Sequence, residues 1–525
     1  MKQMRGPTTP STSPPTGTND MGKILETKIN TFGTGMVHDK RHRDPSASTL
    51  AKNFDLLTYP HKLVPHFTKQ DGNANQNTEE IDNFLFAVGK LYGLGKDQTA
   101  SGPENIQLYA SESFSSDDWT EPNNSQGDAN PTDAYKDFFL HYKFGGVDYL
   151  YGVYDNEFWR YNITAGSIDN SNHSLTFSAI GQGLVHSKDD IMYVPYVDAN
   201  GVPKIAKNNA NSWTDVAITL PAGGYISAIC EYGNYLAIAW SPSSVFSNTS
   251  KVYLWNRDSS LTTLDEKIDF GYGEIKVLEE LQGELLAVQQ ISSTLIFNSQ
   301  IIVRRYAGFA GAQEVAKLIG SSATCDVRAR KQKKNNRLYF LATITLEGTK
   351  QQGVWSLGRS EEGAYCLSLE HTPNNDTALS GETLRGFFLG GDYVFITYDE
   401  SGTFAMRKTQ QNIYTQSSTW QSTIIDDEDV EDASVYKKLL RVIVTTEPLP
   451  TDGQVVVKYR INAESSYTTI FTLTTNDAVG YCATNIESTG ANLPEYNEIQ
   501  FQIISTGGAV PTGFSFQREI LDKRK

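Results

Sequence analysis

Apolar and polar positions alternate along this chain in short bursts with no helical spacing, and one two-strand pattern recurs seven times between about Phe84 and Arg407. Each copy opens on an apolar segment: Leu91-Tyr92-Gly93, Tyr149-Leu150-Tyr151, Ile191-Met192-Tyr193, Tyr235-Leu236-Ala237, Leu285-Leu286-Ala287, Leu338-Tyr339-Phe340 and Tyr393-Val394-Phe395. Turns rich in Gly, Asp and Asn precede these segments, as in Gly145-Gly146-Val147-Asp148 and Lys334-Asn335-Asn336. A more amphipathic strand follows, such as Phe158-Trp159-Arg160-Tyr161 or Lys251-Val252-Tyr253-Leu254-Trp255. A strand-built repeat of roughly 40 to 60 residues is the mark of a β-propeller, whose small sheets bury their faces by stacking around an axis. The pattern predicts six or seven blades. Near-continuous apolar runs, Tyr235–Trp240 and Leu338–Ala342, are expected to be the innermost strands, covered on both faces. A large sandwich of unrelated strands is the competing arrangement.

The flanks read differently. Residues 1–22 are rich in Thr, Ser, Pro and Gly and are expected to be disordered. Residues 23–69 form an irregular arm, 70–410 the propeller, 411–434 an acidic linker or edge, and 435–525 a unit of cleanly alternating strands. That last pattern, with turns at Thr451-Asp452-Gly453 and Thr506-Gly507-Gly508, predicts a small β-sandwich. The fold class expected is therefore all-β: a six- or seven-bladed β-propeller with an N-terminal extended arm and a C-terminal β-sandwich.

The arm carries Asn53-Phe-Asp-Leu-Leu-Thr-Tyr-Pro60 and His61-Lys-Leu-Val-Pro65 after a Gly-x-Gly turn and an Asp/Arg-rich segment, and Ser418-Thr-Trp-Gln-Ser-Thr-Ile-Ile-Asp426 stands after the repeats. These two flanks, about 60 residues, resemble tailed-bacteriophage virion structural proteins. The resemblance implies a non-enzymatic tail hub, nozzle or adaptor subunit, working in the virion after assembly in the host cytoplasm. It implies other tail subunits and a homo-oligomeric ring as partners, and offers no catalytic residue to carry over. The arm is then expected to dock Ile24, Ile29, Phe32, Phe54, Leu56 and Leu57 on a neighbouring subunit, because it lacks enough structure of its own to bury them. Two other classes compete: a carbohydrate-binding receptor-recognition protein of the tail that grips host glycan, and a sialidase-like glycoside hydrolase.

Charge narrows the partners. The net charge of −16 and a pI near 5.0 oppose free binding to nucleic acid, which needs clustered cations that displace counterions. Against that background one basic run stands out, Arg328, Arg330, Lys331, Lys333, Lys334 and Arg337. It is read foremost as a solvated hairpin tip, with contact to DNA in a tail channel or to an acidic surface as the functional reading. The acidic run Asp426, Asp427, Glu428 and Asp429 is its natural complement. Cys230, Cys325, Cys366 and Cys482 are too far apart for a zinc knuckle and read as buried thiols of a reducing compartment. His38, Asp39, His42 and Asp44 offer ligand atoms, but the interleaved Lys40, Arg41 and Arg43 repel a cation, so no metal and no cofactor is expected. Trp119 and Trp213 on polar loops could stack on sugars or close blade turns. No nucleophile elbow, zinc-protease helix or phosphate-cradling loop is present. Nothing resembles an export signal, and no apolar run is long enough to span a membrane.

Overall fold

The computed structural model describes residues 24–37, 47–71, 80–96, 106–111, 113–114, 119–120, 138–154, 156–243, 248–258, 264–292, 298–308, 311–360, 363–373, 382–400, 403–414, 416–425, 436–474, 482–485 and 494–521. Among them the chain is all-β and of β-propeller type, built from successive antiparallel sheets. The first sheet runs Glu80–Ala87, Lys90–Lys96, Ile106–Ser111 and Trp119–Thr120. The second is Phe139–Phe144, Val147–Tyr154, Glu157–Asn162 and Ser167–Ser174. In the third, two short pieces, Ala179–Ile180 and Leu184–His186, share the inner edge beside Ile191–Val197, Pro203–Asn209 and Ser212–Thr219. The fourth (Gly224–Tyr232, Tyr235–Pro242, Lys251–Trp255, Glu266–Asp269) and fifth (Glu274–Leu281, Glu284–Ile291, Gln300–Tyr306, Gln313–Ile319) follow the same order. The sixth is Cys325–Lys334, Arg337–Leu346, Thr349–Arg359 and Tyr365–His371. The seventh, Glu382–Gly390, Tyr393–Glu400 and Thr403–Thr409, takes its outermost strand, Lys69–Asp71, from the N-terminal side of the first sheet.

Each sheet's opening strand lies against the next one's, and that of the seventh lies against that of the first. The hydrophobic core is divided accordingly. One buried cluster fills each junction, from Tyr92, Leu94 and Leu108 against Leu150 and Trp159 round to Ile81 and Trp119 against Phe395 and Met406. The recurring apolar segments are the second strand of each sheet and not the innermost, which corrects the sequence reading. A second strand has a paired strand on each side and a neighbouring sheet on each face, so Leu236–Pro242 is buried throughout. The innermost strands border a cavity and mix polar with apolar side chains along it. The outer strand of the second sheet, Ser167–Ser174, is polar and largely exposed.

Hairpin chemistry is local. Gly145 and Gly146 (φ 58° and 81°) and Asn335 and Asn336 (φ 51° and 57°) place two left-handed residues in series between the first and second strands of their sheets. Such turns match the right-handed twist of the strands they join.

The arm is not free. Ile24–Ile29 pairs with Pro511–Ile520, which in turn pairs with Lys437–Thr446. Ser48–Lys52 is inserted between Tyr365–His371 of the sixth sheet and Ser418–Ser422, and from there the sheet continues through Ile499–Thr506, Gln454–Ile461 and Thr468–Thr474. The two C-terminal sheets meet through Phe501, whose ring lies 4.9 Å from that of Phe514 and 4.8 Å from that of Phe516. Ile29, Phe32, Phe54 and Leu56 are fully buried inside this chain and Leu57 is half-buried, whereas Ile24 is 61% exposed. Phe32 packs edge-on against Trp420 with centroids 5.3 Å apart. The expectation that the arm has nowhere of its own to bury these residues is therefore corrected: its partners lie hundreds of positions away in sequence. Ser418–Ser422, within the segment read as an acidic linker or edge, is a strand inside the sheet that takes in Ser48–Lys52. Asp426, Asp427, Glu428 and Asp429, and the His38–Asp44 group, lie outside the described residues.

Candidate functional site: the axial cavity

The inner strands surround a cavity of about 1260 Å³. Its wall takes residues from the inner strands of all seven sheets, Phe139 and Leu140 at the start of the second sheet's among them, and reaches turns that follow, including Tyr232-Gly233-Asn234-Tyr235, Gly283 and Gly390-Gly391. Six cationic side chains line it, Lys188, Lys276, Arg330, Lys331, Lys333 and Lys334, against three carboxylates, Glu231, Glu279 and Glu280. In a chain of net charge −16 this is a local reversal of sign.

The basic run 328–337 supplies four of those cations because Cys325–Lys334 is the inner strand of the sixth sheet. It is not a solvated hairpin tip. Its side chains reach the neighbouring sheets. Lys331 Nζ donates to the Ile229 carbonyl (3.1 Å) and to that of Leu278, and pairs with Glu279 at 2.9 Å. Lys333 sits 3.4 Å from both Glu279 and Glu280. Gln332 exchanges two hydrogen bonds with the Leu389 backbone, at 2.7 and 2.8 Å, and Lys334 donates to the Gly391 carbonyl. Arg330 Nε donates to the Asp82 carbonyl at 2.9 Å. One strand thus ties together sheets four, five, seven and one. Arg328 pairs with Asp326 at 2.9 Å, while Arg337, already in the next strand, is buried and bridges Asp55 of the arm to Glu370, 2.9 Å each.

The carboxylates are committed. Burial alone would raise the Glu279 carboxyl, but Lys331 and Lys333 hold it below its ordinary value. Glu280 accepts from the Gly283 amide, and Glu231 accepts from the Ser187 hydroxyl at 2.7 Å. Burial also pushes the Cys230 thiol well above its usual range, so this cavity cysteine is an unreactive one.

At the mouth, Phe86, Phe114 and Phe388 form an aromatic group with centroids 4.9 and 5.6 Å apart, and Tyr235 stands partly exposed. These aromatics and Lys188 were not singled out in the sequence. For Lys188 the signal available was the polar turn Lys188-Asp189-Asp190 before an apolar segment; Phe86 and Phe388 lie near the ends of strands that read as ordinary apolar ones. Trp119 and Trp213, which were singled out, are elsewhere: Trp119 is buried between the seventh and first sheets beside Phe395, and Trp213 stacks on His173 at 4.4 Å.

No protein-family model matches the chain, and no curated protein matches it. Solved structures do. An exo-β-1,3-galactanase from Phanerochaete chrysosporium with galactose is 10% identical over 87% of this chain and 100% of that one, TM-score 0.31. Trypanosoma rangeli sialidase in complex with sialic acid is 11% identical over 95% and 96%, TM-score 0.31. The WD40 β-propeller domain of Doa1 is 9% identical over 66% and 98%, TM-score 0.38. The likeness speaks to fold alone. The expectation of a non-enzymatic chain is corrected to this: the solved structures it is similar to include an exo-β-1,3-galactanase and a sialidase.

Proposed function

We propose that the chain is a seven-bladed propeller, closed by its arm and backed by a C-terminal sandwich, whose axial cavity binds an acidic saccharide. The observation that carries this reading is the composition of the cavity wall: six cations against three carboxylates, with the exposed Lys188 on the same wall as a group of aromatics, Phe86, Phe114 and Phe388. Sugars are held by aromatic faces and polar hydrogen bonds in a concave site, and a carboxylate or sulfate on the sugar adds a charge-assisted bond to Lys or Arg. Lys188 is exposed on the wall and is the cation best placed to meet a ligand. The virion resemblance of the flanks gives such a module a setting, recognition of host glycan by a phage tail.

Calorimetric titration with matched acidic and neutral oligosaccharides tests the reading. Acidic members are expected to bind, with affinity falling about tenfold in Lys188→Glu and at raised salt. Equal binding of neutral and acidic members, or of none, refutes it. Assaying the same mixtures for released reducing sugar reads whether a bound saccharide is also cleaved.

A further inference from the structure

A second cluster lies outside the cavity, where the arm crosses the outer strand of the sixth sheet. We infer that His66, Glu370 and His371 form a binding site for a divalent transition metal such as zinc, which fastens the arm to the propeller. Their ligand atoms all lie within 4.8 Å of one another. Glu370 Oε2 is 3.7 Å from His66 Nε2 and 3.9 Å from His371 Nε2. A tetrahedral zinc with bonds of about 2.1 Å sets its donors roughly 3.4 Å apart, so the two Glu370 distances need to close by only about 0.3 and 0.5 Å, and the imidazole pair by at most about 1.4 Å.

The backbone is arranged to bring these donors together. Glu370 and His371 are neighbours on one strand and would ordinarily point to opposite faces. Here the register opposite Thr349–Arg359 jumps from Val354↔His371 to Trp355↔Leu369, leaving Glu370 as the extra residue of a bulge. Bulges re-aim side chains in this way. Gly353 makes the bulge fit, since a Cβ there would stand 2.1 Å from the His371 carbonyl oxygen. His66 is set by its amide, which donates to the Asn53 carbonyl at 3.0 Å.

The donors also have capacity to spare. Arg337 holds Glu370 through Oε1 at 2.9 Å, which orients the carboxylate and leaves Oε2 toward the imidazoles. Among the described residues His66 Nε2, the nitrogen that faces Glu370 Oε2, has no hydrogen-bond partner. Buried orphaned ring nitrogens are costly unless something completes them. The His66 side chain is 21% exposed, which leaves an entry path for an ion. Two imidazoles and one carboxylate are a donor set that zinc accepts, with a fourth position for water.

Purified full-length protein, stripped with chelator and dialysed, should take up one equivalent of zinc by elemental analysis and give a tetrahedral d–d band on titration with cobalt. Glu370→Gln and, independently, His371→Ala should weaken uptake more than tenfold. Zinc should also slow proteolysis of the arm in the parent protein and not in the variants. Failure of the parent to bind either ion, or binding unchanged in both variants, overturns the assignment. Should a variant not fold, the parent titration still decides.

Discussion

At the scale of single residues, burial and charge work against each other most plainly at Glu279. Its carboxyl is held below the usual 4.5 by Lys331 and Lys333 in spite of burial. A depressed folded-state pKa means that the stabilisation is present above the unfolded value and lost as pH falls through the folded one. Glu279→Gln should therefore cost about 3 kcal/mol at neutral pH, because it leaves Lys331 without its carboxylate. The gap from the parent should narrow below pH 4.5, read as urea midpoints at both ends. A gap that ignores pH would show that the pair contributes nothing by charge. Val88 makes a different residue-scale case. It is a β-branched side chain at φ 48°, 57% exposed, in the turn between the first two strands of the first sheet. Such residues pay for a left-handed backbone, so Val88→Asn should stabilise by about 1 kcal/mol in chemical denaturation. Neither effect was legible beforehand, since each depends on which turn or which strand faces the residue.

At the scale of elements, the inner strand of the sixth sheet matters most. Its basic side chains were visible as a run, but a run of cations in isolation reads as solvated, and only the ring places acceptors of other sheets around it. Lys331→Met should uncouple the fourth and fifth sheets from the sixth, at a cost of about 3 kcal/mol from the exposed carbonyls and the unpaired Glu279. Hydrogen exchange should then rise in Gly224–Tyr232 and Glu274–Leu281 ahead of the rest. Uniform change across all sheets would argue against the staple. The apolar segments were read correctly as strands and wrongly as innermost, because a strand's apolar content reports how many sides are covered and not how near the axis it runs.

At the scale of the whole molecule, the arm joins what the sequence separates. It gives an edge strand to one C-terminal sheet, an internal strand to the other, and the outer strand of the seventh propeller sheet. Removing residues 1–69 should therefore yield insoluble or non-cooperative protein and not a folded monomer, judged by solubility and by the loss of a single thermal transition. Phe32→Ala, which empties the contact with Trp420, should cost about 3 to 5 kcal/mol with the fold retained. A truncation that melts like the parent would mean that the arm is dispensable to the fold.

Period, alternation and turn residues by themselves determined that this chain is all-β, that its sheets repeat, and where most strands lie, because these are properties of neighbours in sequence. Which strands face the axis, that the arm is interior, that a cationic strand lines a cavity, and that His66 meets Glu370 and His371 were decided only by tertiary structure. Those outcomes depend on contacts between residues tens to hundreds of positions apart, and neither the spacing nor the composition of a segment records its distant neighbours.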